Sequence, residues 1–130
     1  MAIILITHDL GVVAEMADDV IVMYAGAAVE KAPRRELFAS NHHPYTEGLL
    51  LSLPRADTRE RLRPIAGQPP SLITLPQGCK FNPRCPYVMD QCRREEPVLQ
   101  MVQGRARHTS ACWLPHDLAD RQARREAVVG

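Results

Sequence analysis

The chain has few aromatic residues, no long apolar run and almost no net charge. Aromatic residues make up 5% of its 130 residues, so the core must be mainly aliphatic. No run approaches the roughly 18 apolar residues that a bilayer-spanning helix needs, so we predict that the chain is not itself transmembrane. The formal net charge of +1 gives no reason to expect a nucleic-acid partner. The G-x-x-x-x-G-K-[ST] phosphate loop, G-x-G-x-x-G and the nucleophilic serine elbow are also missing.

Thiols are confined to one segment, which is rich in Pro and Arg and poor in apolar runs. The spacing there is C-x5-C-x6-C-x19-C, formed by Cys79, Cys85, Cys92 and Cys112. Such a segment cannot easily bury a core of its own, so we expect the cysteines to cross-link it. Two disulfides, a zinc site and an iron–sulfur cluster are the candidate cross-links, and four free buried cysteines are the remaining alternative.

The cysteine spacing and the residues around it favour some of these candidates over others, but they do not single out one. No signal peptide is recognisable, which argues against disulfides, and no C-x2-4-C knuckle favours zinc. Pro86 follows Cys85, as after some ferredoxin ligands. Between the outer cysteines, three acidic residues face a larger basic set: Lys80, Arg84, Arg93, Arg94, Arg105 and Arg107. This charge balance suits an anionic cluster, so the residues favour iron–sulfur and leave zinc open.

The first part of the chain has the pattern of an α/β domain. Residues 2–6 are apolar and rich in β-branched side chains, which predicts a strand covered on both faces, as in parallel sheets. Apolar residues then recur at helical spacing from Leu10, with Asp9 as a plausible N-cap. His8 therefore falls between a strand's carboxyl end and a helix, where open α/β sheets bind ligands.

Further short elements follow before the cysteines. Residues 20–24 and 27–30 predict a hairpin with a turn at Ala25-Gly26, Pro33 begins a short helix, and residues 45–53 predict another helix. We expect His42 and His43 to pack or to cap a helix rather than to bind a metal. Three strands make a poor doubly covered sheet, so the pattern indicates the end of a larger domain.

Several stretches in order resemble the ATP-binding subunits of ABC transporters, in the oligopeptide/dipeptide importer branch. They are residues 5–18 around His8, residues 22–26, residues 43–50 beginning His43-Pro44-Tyr45-Thr46, and residues 64–71. Residues 78–86 are similar to the family's C-terminal cysteine motif. The resemblance covers roughly residues 2–114.

The resemblance implies a fold and a division of the chain. The fold class is α/β: the C-terminal fragment of a P-loop ABC ATPase domain followed by a small irregular four-cysteine extension. We predict the end of the ATPase domain at 1–54, a Pro-rich linker at 55–76, the four-cysteine extension at 77–116 and a charged tail at 117–130.

The resemblance also implies a function, cofactors and partners. ATP hydrolysis with Mg²⁺ would power peptide uptake, and His8 would be the switch histidine that contacts the γ-phosphate and positions water. The partners would be membrane-embedded permease subunits, a second ATP-binding subunit and an extracytoplasmic binding protein, at the cytoplasmic face of the inner (plasma) membrane. A [4Fe-4S] cluster, with zinc as the alternative, would be held by Cys79, Cys85, Cys92 and Cys112.

One departure from the family limits this expectation. The family's phosphate loop, glutamine loop, signature motif and catalytic glutamate all precede the region that this sequence matches. We therefore expect the chain alone neither to bind ATP tightly nor to hydrolyse it. Two interpretations follow: part of an importer's ATP-hydrolysing subunit, or a self-standing iron–sulfur or zinc module without ATPase activity. Exposure of residues 3–6 would favour the first.

Overall fold

The computed structural model describes residues 1–52, 65, 67, 71–102 and 106–114. These residues form short helices and an antiparallel sheet. In chain order the elements are α1 (Leu10–Met16), β1 (Asp19–Tyr24), β2 (Ala27–Pro33), α2 (Arg34–Ser40), α3 (Pro44–Leu51), α4 (Asp90–Arg94), β3 (Gln100–Met101) and β4 (Thr109–Ser110).

Strands β1 and β2 form the predicted hairpin. Their antiparallel register runs from Asp19 opposite Pro33 to Tyr24 opposite Ala27. Ala25 (φ 51°) and Gly26 (φ 82°) both adopt the left-handed backbone conformation that two-residue hairpin turns require. The hairpin prediction is confirmed, including the position of its turn.

The sheet has the strand order β1-β2-β4-β3, and all its pairings are antiparallel. Glu30 of β2 lies opposite Ser110 of β4, and Lys31 lies opposite Thr109. The second part of the chain therefore completes the sheet that the first part begins. Sequence reasoning placed no strand near position 110.

Helices α1, α2 and α3 agree with the predicted ones in kind and approximate position, whereas α4 was not predicted. Asp9 caps α1, because its side chain accepts hydrogen bonds from the backbone N–H groups of Gly11 and Val12. Helix α2 follows Pro33, and α3 has a proline in its first turn. The predicted end of α3 at residue 53 lies outside the described residues.

The aliphatic core lies between the hairpin and the helices. Val20, Val22, Ala32 and Leu37 are buried together, and partly buried side chains surround them: Val13, Ala17, Val29, Tyr45 and Leu49. Alternate residues of β1 face inward, which is the pattern of a strand with one covered face.

The strand predicted at residues 2–6 is wrong for this structure. These residues form no strand, and Ile3, Ile4 and Ile6 are 76%, 91% and 94% exposed. A doubly covered strand needs paired neighbours and two covering layers. The described sheet is antiparallel and ends at β1, so neither is present for residues 2–6.

Most of the predicted linker (residues 55–76) and all of the predicted charged tail (residues 117–130) lie outside the described residues. The predicted domain boundaries therefore stay predictions. Among the described residues, no helix is both long enough and apolar enough to cross a membrane.

Candidate functional site

The structure brings the four cysteines together around one pocket. Cys79 and Cys85 lie in the turns before α4, Cys92 lies within α4, and Cys112 follows β4. All four are free thiols. The other residues that line the pocket are His43, Pro44, Phe81, Asn82, Tyr87, Trp113 and Leu114. Thiols separated by 33 positions in sequence therefore face one mainly apolar space.

Close backbone packing positions these thiols. The Cys79 N–H donates to the Cys92 carbonyl at 2.7 Å. Gly78 has a φ of +77°, and a Cβ at this position would lie 2.3 Å from that same carbonyl oxygen. The Asn82 side chain also donates to the Cys92 carbonyl, at 3.2 Å. Only glycine fits at position 78, because both the backbone conformation and the available space exclude a side chain.

The surroundings hold the thiols of Cys79 and Cys85 in their protonated form. Burial raises the pKa of Cys85 to about 12, and the neighbouring thiols of Cys79 and Cys92 add to this shift. Burial likewise raises the pKa of Cys79. Without a cation these groups are poor nucleophiles, since the thiolate is the reactive form. The pocket is therefore more suited to binding than to covalent catalysis.

Four of the six basic residues that suggested an anionic centre have partners outside the pocket. Lys80 pairs with Glu96, Arg93 pairs with Asp90 and Arg107 pairs with Asp19. The Arg84 guanidinium lies over the Tyr24 ring. Among the described residues that line the pocket there is no Lys or Arg. For Lys80, Arg93 and Arg107, the positive charge that suggested an anionic centre is therefore paired with a carboxylate outside the pocket.

The donor set nevertheless fits a group bound by thiolates. Four thiols in apolar surroundings are the ligands that iron–sulfur clusters and four-cysteine zinc sites use. In the described part of the chain, no three His, Cys, Asp or Glu side chains are already spaced to hold a metal ion.

His8 lies apart from this pocket, in an exposed turn before α1. The Thr7 hydroxyl accepts a hydrogen bond from the Asp9 N–H at 3.0 Å, and Asp9 in turn caps the helix. These two local contacts shape the backbone on both sides of His8. Its predicted position before a helix is correct, whereas the strand expected to precede it is absent.

His42 and His43 have the packing and capping roles predicted for them. His43 is the N-cap of α3, and its Nδ1 accepts a hydrogen bond from the Tyr45 N–H at 3.0 Å. The His42 Nδ1 lies 2.8 Å from the Ser110 hydroxyl. Both histidines are buried and tie the start of α3 to neighbouring elements.

Sequence reasoning missed a buried carboxylate beneath these histidines. Glu30 is fully buried and accepts backbone hydrogen bonds from His42 at 2.7 Å and His43 at 3.0 Å. The His108 Nε2 lies 2.5 Å from the same Glu30 oxygen that accepts the His42 N–H, and the His108 Nδ1 lies 3.3 Å from Glu36. The sequence did contain a signal for the burial of Glu30. Glu30 and Ala32 are alternate residues of one strand, and both lie on the inward face of β2.

The hydrogen bonds to Glu30 keep it ionised despite its burial. Burial by itself raises the pKa of this carboxyl. Hydrogen bonds from His108 and from the His42 and His43 N–H groups outweigh that effect and lower the pKa below its ordinary value of 4.5.

A second buried contact joins α3 to the cysteine segment. The Tyr87 hydroxyl donates to a Glu47 carboxylate oxygen at 2.6 Å. Nearby, the Phe81 ring packs against Tyr24 and Tyr45, with centroid distances of 5.2 Å and 5.4 Å. The pocket is therefore built against the rest of the molecule instead of standing free of it.

Comparison with known protein families identifies the region that contains three of these cysteines. Residues 29–92 match the family described as the oligopeptide/dipeptide transporter, C-terminal region. The chain carries the C-terminal region of this family. The expected family is thereby confirmed, and the match includes Glu30, α3 and the first three cysteines.

Individual relatives extend the similarity over most of the chain. The chain is 49% identical over 123 residues to the dipeptide transport ATP-binding protein DppD of Escherichia coli, covering 93% of this chain and 37% of the relative. It is 52% identical over 112 residues to the oligopeptide transport ATP-binding protein OppD of Mycobacterium tuberculosis, covering 85% and 18%. Bacillus subtilis DppD is 48% identical over 121 residues, covering 92% and 36%. The chain spans little more than a third of the length of the DppD relatives.

Proposed function

We propose that this chain is part of the ATP-hydrolysing subunit of a dipeptide or oligopeptide importer. The observation that carries the proposal is the near-half identity to transport ATP-binding proteins over about nine tenths of the chain. The exposure of Ile3, Ile4 and Ile6 is consistent with it, because these side chains have the composition of a covered strand. If the chain were a self-standing metal-binding module, the exposure of these apolar side chains would have no explanation.

In this function His8 contacts the γ-phosphate of ATP and positions the attacking water. Phosphoryl transfer depends on positioned donors and charge stabilisation, which an imidazole N–H in an exposed turn can supply. The sequence contains no phosphate loop, so the backbone cradle for the phosphates and the Mg²⁺ ligands come from elsewhere in the subunit. The membrane-embedded permease subunits and a second ATP-binding subunit complete the importer at the cytoplasmic face of the membrane.

The test is peptide uptake by cells that carry His8→Ala in the full-length subunit. We expect uptake of a labelled dipeptide to fall on the order of 10²-fold or more, because a donor to the transferred phosphate is lost. Glu15→Gln, an exposed change on α1, is the matched control and should leave uptake unchanged.

Two results would contradict the proposal. One is wild-type uptake by His8→Ala at normal subunit abundance. The other is ATP hydrolysis by the isolated 130-residue chain that disappears in His8→Ala, since this chain has no phosphate loop of its own.

We also propose that Cys79, Cys85, Cys92 and Cys112 hold a [4Fe-4S] cluster, with zinc as the alternative occupant. The convergence of four free thiols on one apolar pocket supports this proposal. When bound, the cluster supplies a rigid cross-link between the turns at Cys79 and Cys85, helix α4 and the segment after β4. Its role is structural, because a segment with little apolar material gains most from such a cross-link.

Metal analysis of the subunit isolated without oxygen tests the cluster. We expect about four irons and about four sulfides per chain, lost in Cys85→Ala and retained in Glu15→Gln. Each thiol must lose its proton to bind, and the pKa of Cys85 is raised to about 12, so loading strengthens as pH rises. Zinc without iron would select the alternative. A metal content unchanged in Cys85→Ala would contradict both occupants.

A further inference from the structure

Three of the four pocket cysteines belong to one stretch of backbone, residues 79–92, that is braced by its own hydrogen bonds. The Cys79 N–H donates to the Cys92 carbonyl at 2.7 Å, and the Asn82 side chain donates to the same carbonyl at 3.2 Å. The Cys85 N–H donates to the Asn82 carbonyl at 3.4 Å. These bonds lie within the stretch, so its backbone holds these three cysteines relative to one another.

Cys112 is held by a different part of the molecule. It follows β4, and the residue before it, Ala111, donates its N–H to the Val29 carbonyl of β2 at 2.8 Å. The Leu114 N–H donates to the Cys112 sulfur at 3.4 Å. The position of this fourth thiol therefore depends on how β4 pairs with β2.

His108 connects the segment that carries Cys112 to the buried carboxylate of β2. Its ring is fully buried, and its Nε2 lies 2.5 Å from Oε2 of Glu30. The ionised Glu30 carboxylate can only accept, so the His108 Nε2–H is the donor. The His108 carbonyl also accepts the Val102 N–H at 2.7 Å, which brings the end of β3 to the same residue.

Strand β4 depends on such side-chain contacts because it has only two residues. Few backbone hydrogen bonds can fix so short a strand, whereas a hydrogen bond to a buried charge is strong and costly to break. The Ser110 hydroxyl adds a second buried contact, 2.8 Å from the His42 Nδ1. We therefore expect the contact between His108 and Glu30 to fix β4 against β2, and with it the start of the segment that ends at Cys112.

We propose that His108 positions Cys112 as the fourth ligand of the group bound in the pocket, acting through its contact with Glu30 and through strand β4. The inference rests on the four-cysteine site proposed above and holds for a cluster or for zinc. His108 is a positioning residue, because it acts on the site through Cys112 and not as a ligand. Loss of its contact with Glu30 should leave a site with three thiolates, all from residues 79–92.

A cobalt titration of the full-length subunit, stripped of bound metal by a chelator under reducing conditions, tests this role. Co²⁺ occupies tetrahedral thiolate sites, and its sulfur-to-metal charge-transfer absorbance grows with the number of thiolate ligands. In His108→Leu we expect Co²⁺ binding to weaken about 10–100-fold, as when other partners of metal ligands are removed. Its absorbance should match that of Cys112→Ser, the reference for a three-thiolate site.

A double variant separates positioning from general destabilisation. If His108 acts through Cys112, adding His108→Leu to Cys112→Ser weakens Co²⁺ binding no further, because the fourth thiol is already gone. A purely structural effect would add to the loss. His108→Gln should restore four-thiolate binding, because its amide N–H replaces the Nε2 donor to Glu30. Arg107→Gln is the matched control: it removes the neighbouring exposed pair with Asp19 and should leave binding unchanged.

His108→Leu leaves the Glu30 carboxylate without the His108 donor, and His108→Asn takes its place if the leucine variant does not fold. The asparagine amide takes the position of Nδ1, which lies 3.3 Å from Glu36, and falls short of Glu30. The same weakening is expected. Urea unfolding establishes which variants are folded.

The possible results separate this inference from the site on which it rests. Wild-type Co²⁺ binding by the folded His108 variant, or additive losses in the double variant, overturns the role of His108. Wild-type binding by Cys112→Ser overturns the fourth ligand and this inference with it. A subunit isolated without iron and sulfide that still binds Co²⁺ as expected overturns the cluster alone. Absence of Co²⁺ binding by the wild type overturns both the site and the inference.

Discussion

Glu30 shows how much one buried side chain can organise. Its carboxylate connects β2 to the start of α3 and to His108 at the edge of β4. Burying a charge is costly unless it is paired and hydrogen-bonded, and here each oxygen has partners. The residue therefore acts as a polar centre within an otherwise aliphatic molecule.

Removal of this carboxylate should be strongly destabilising. In Glu30→Ala the His42 and His43 N–H groups and the His108 ring lose their buried acceptor, and we expect a cost of about 3–5 kcal/mol in the free energy of unfolding. Urea unfolding measures it. Glu15→Ala is an exposed control and should change stability by less than about 0.5 kcal/mol. Equal stability of the two variants would show that the Glu30 contacts contribute nothing.

Glu30 should also make the stability of the fold depend on pH. The folded-state pKa of Glu30 lies below its ordinary value of 4.5, so the ionised carboxylate stabilises the fold at higher pH. That contribution is complete above about pH 4.5 and is lost as pH falls through the lower folded value. Glu30→Gln should remove this part of the acid-induced loss of stability.

At the scale of elements, the cysteine segment depends on tight turns more than on regular structure. Helix α4 has five residues and β3 and β4 have two each. The segment is held by backbone contacts such as the one between Cys79 and Cys92. Gly78 is the position where this packing leaves least room.

A pair of glycine substitutions separates backbone strain from steric conflict. Gly26→Ala should cost about 1–2 kcal/mol, because it adds only the left-handed backbone penalty. Gly78→Ala adds the conflict with the Cys92 carbonyl at 2.3 Å and should cost clearly more, and we expect the proposed cluster to be lost with it. Denaturant unfolding and metal content measure both effects. Similar costs for the two variants would show that the turn at Gly78 adjusts freely.

At the scale of the whole molecule, the cysteine segment and the hairpin form one sheet. Strand β4 pairs with β2, Arg107 pairs with Asp19, and Tyr87 reaches Glu47 on α3. Contacts of the cysteine segment therefore reach β1, β2 and α3 in the first part of the chain. The first residues of the chain are not packed in this way, because Ile4 and Ile6 have no apolar cover within the described structure.

Much of the local structure could be predicted from the sequence. The hairpin, the Asp9 cap and the helices near Pro33 and Pro44 depend on neighbouring residues, so turn chemistry and periodicity were sufficient to find them. The family could also be recognised, because short motifs such as His43-Pro44-Tyr45-Thr46 occur in order.

Contacts between distant residues were decided by the tertiary structure. The sequence alone determined that four thiols occur in one segment, and only the fold showed that Cys79 and Cys112 line the same pocket as His43. Likewise, Glu30 and His108 are 78 positions apart, and no periodicity links them. Local rules follow from backbone sterics within a few residues, whereas a shared pocket or a buried pair exists only after loops close and strands pair.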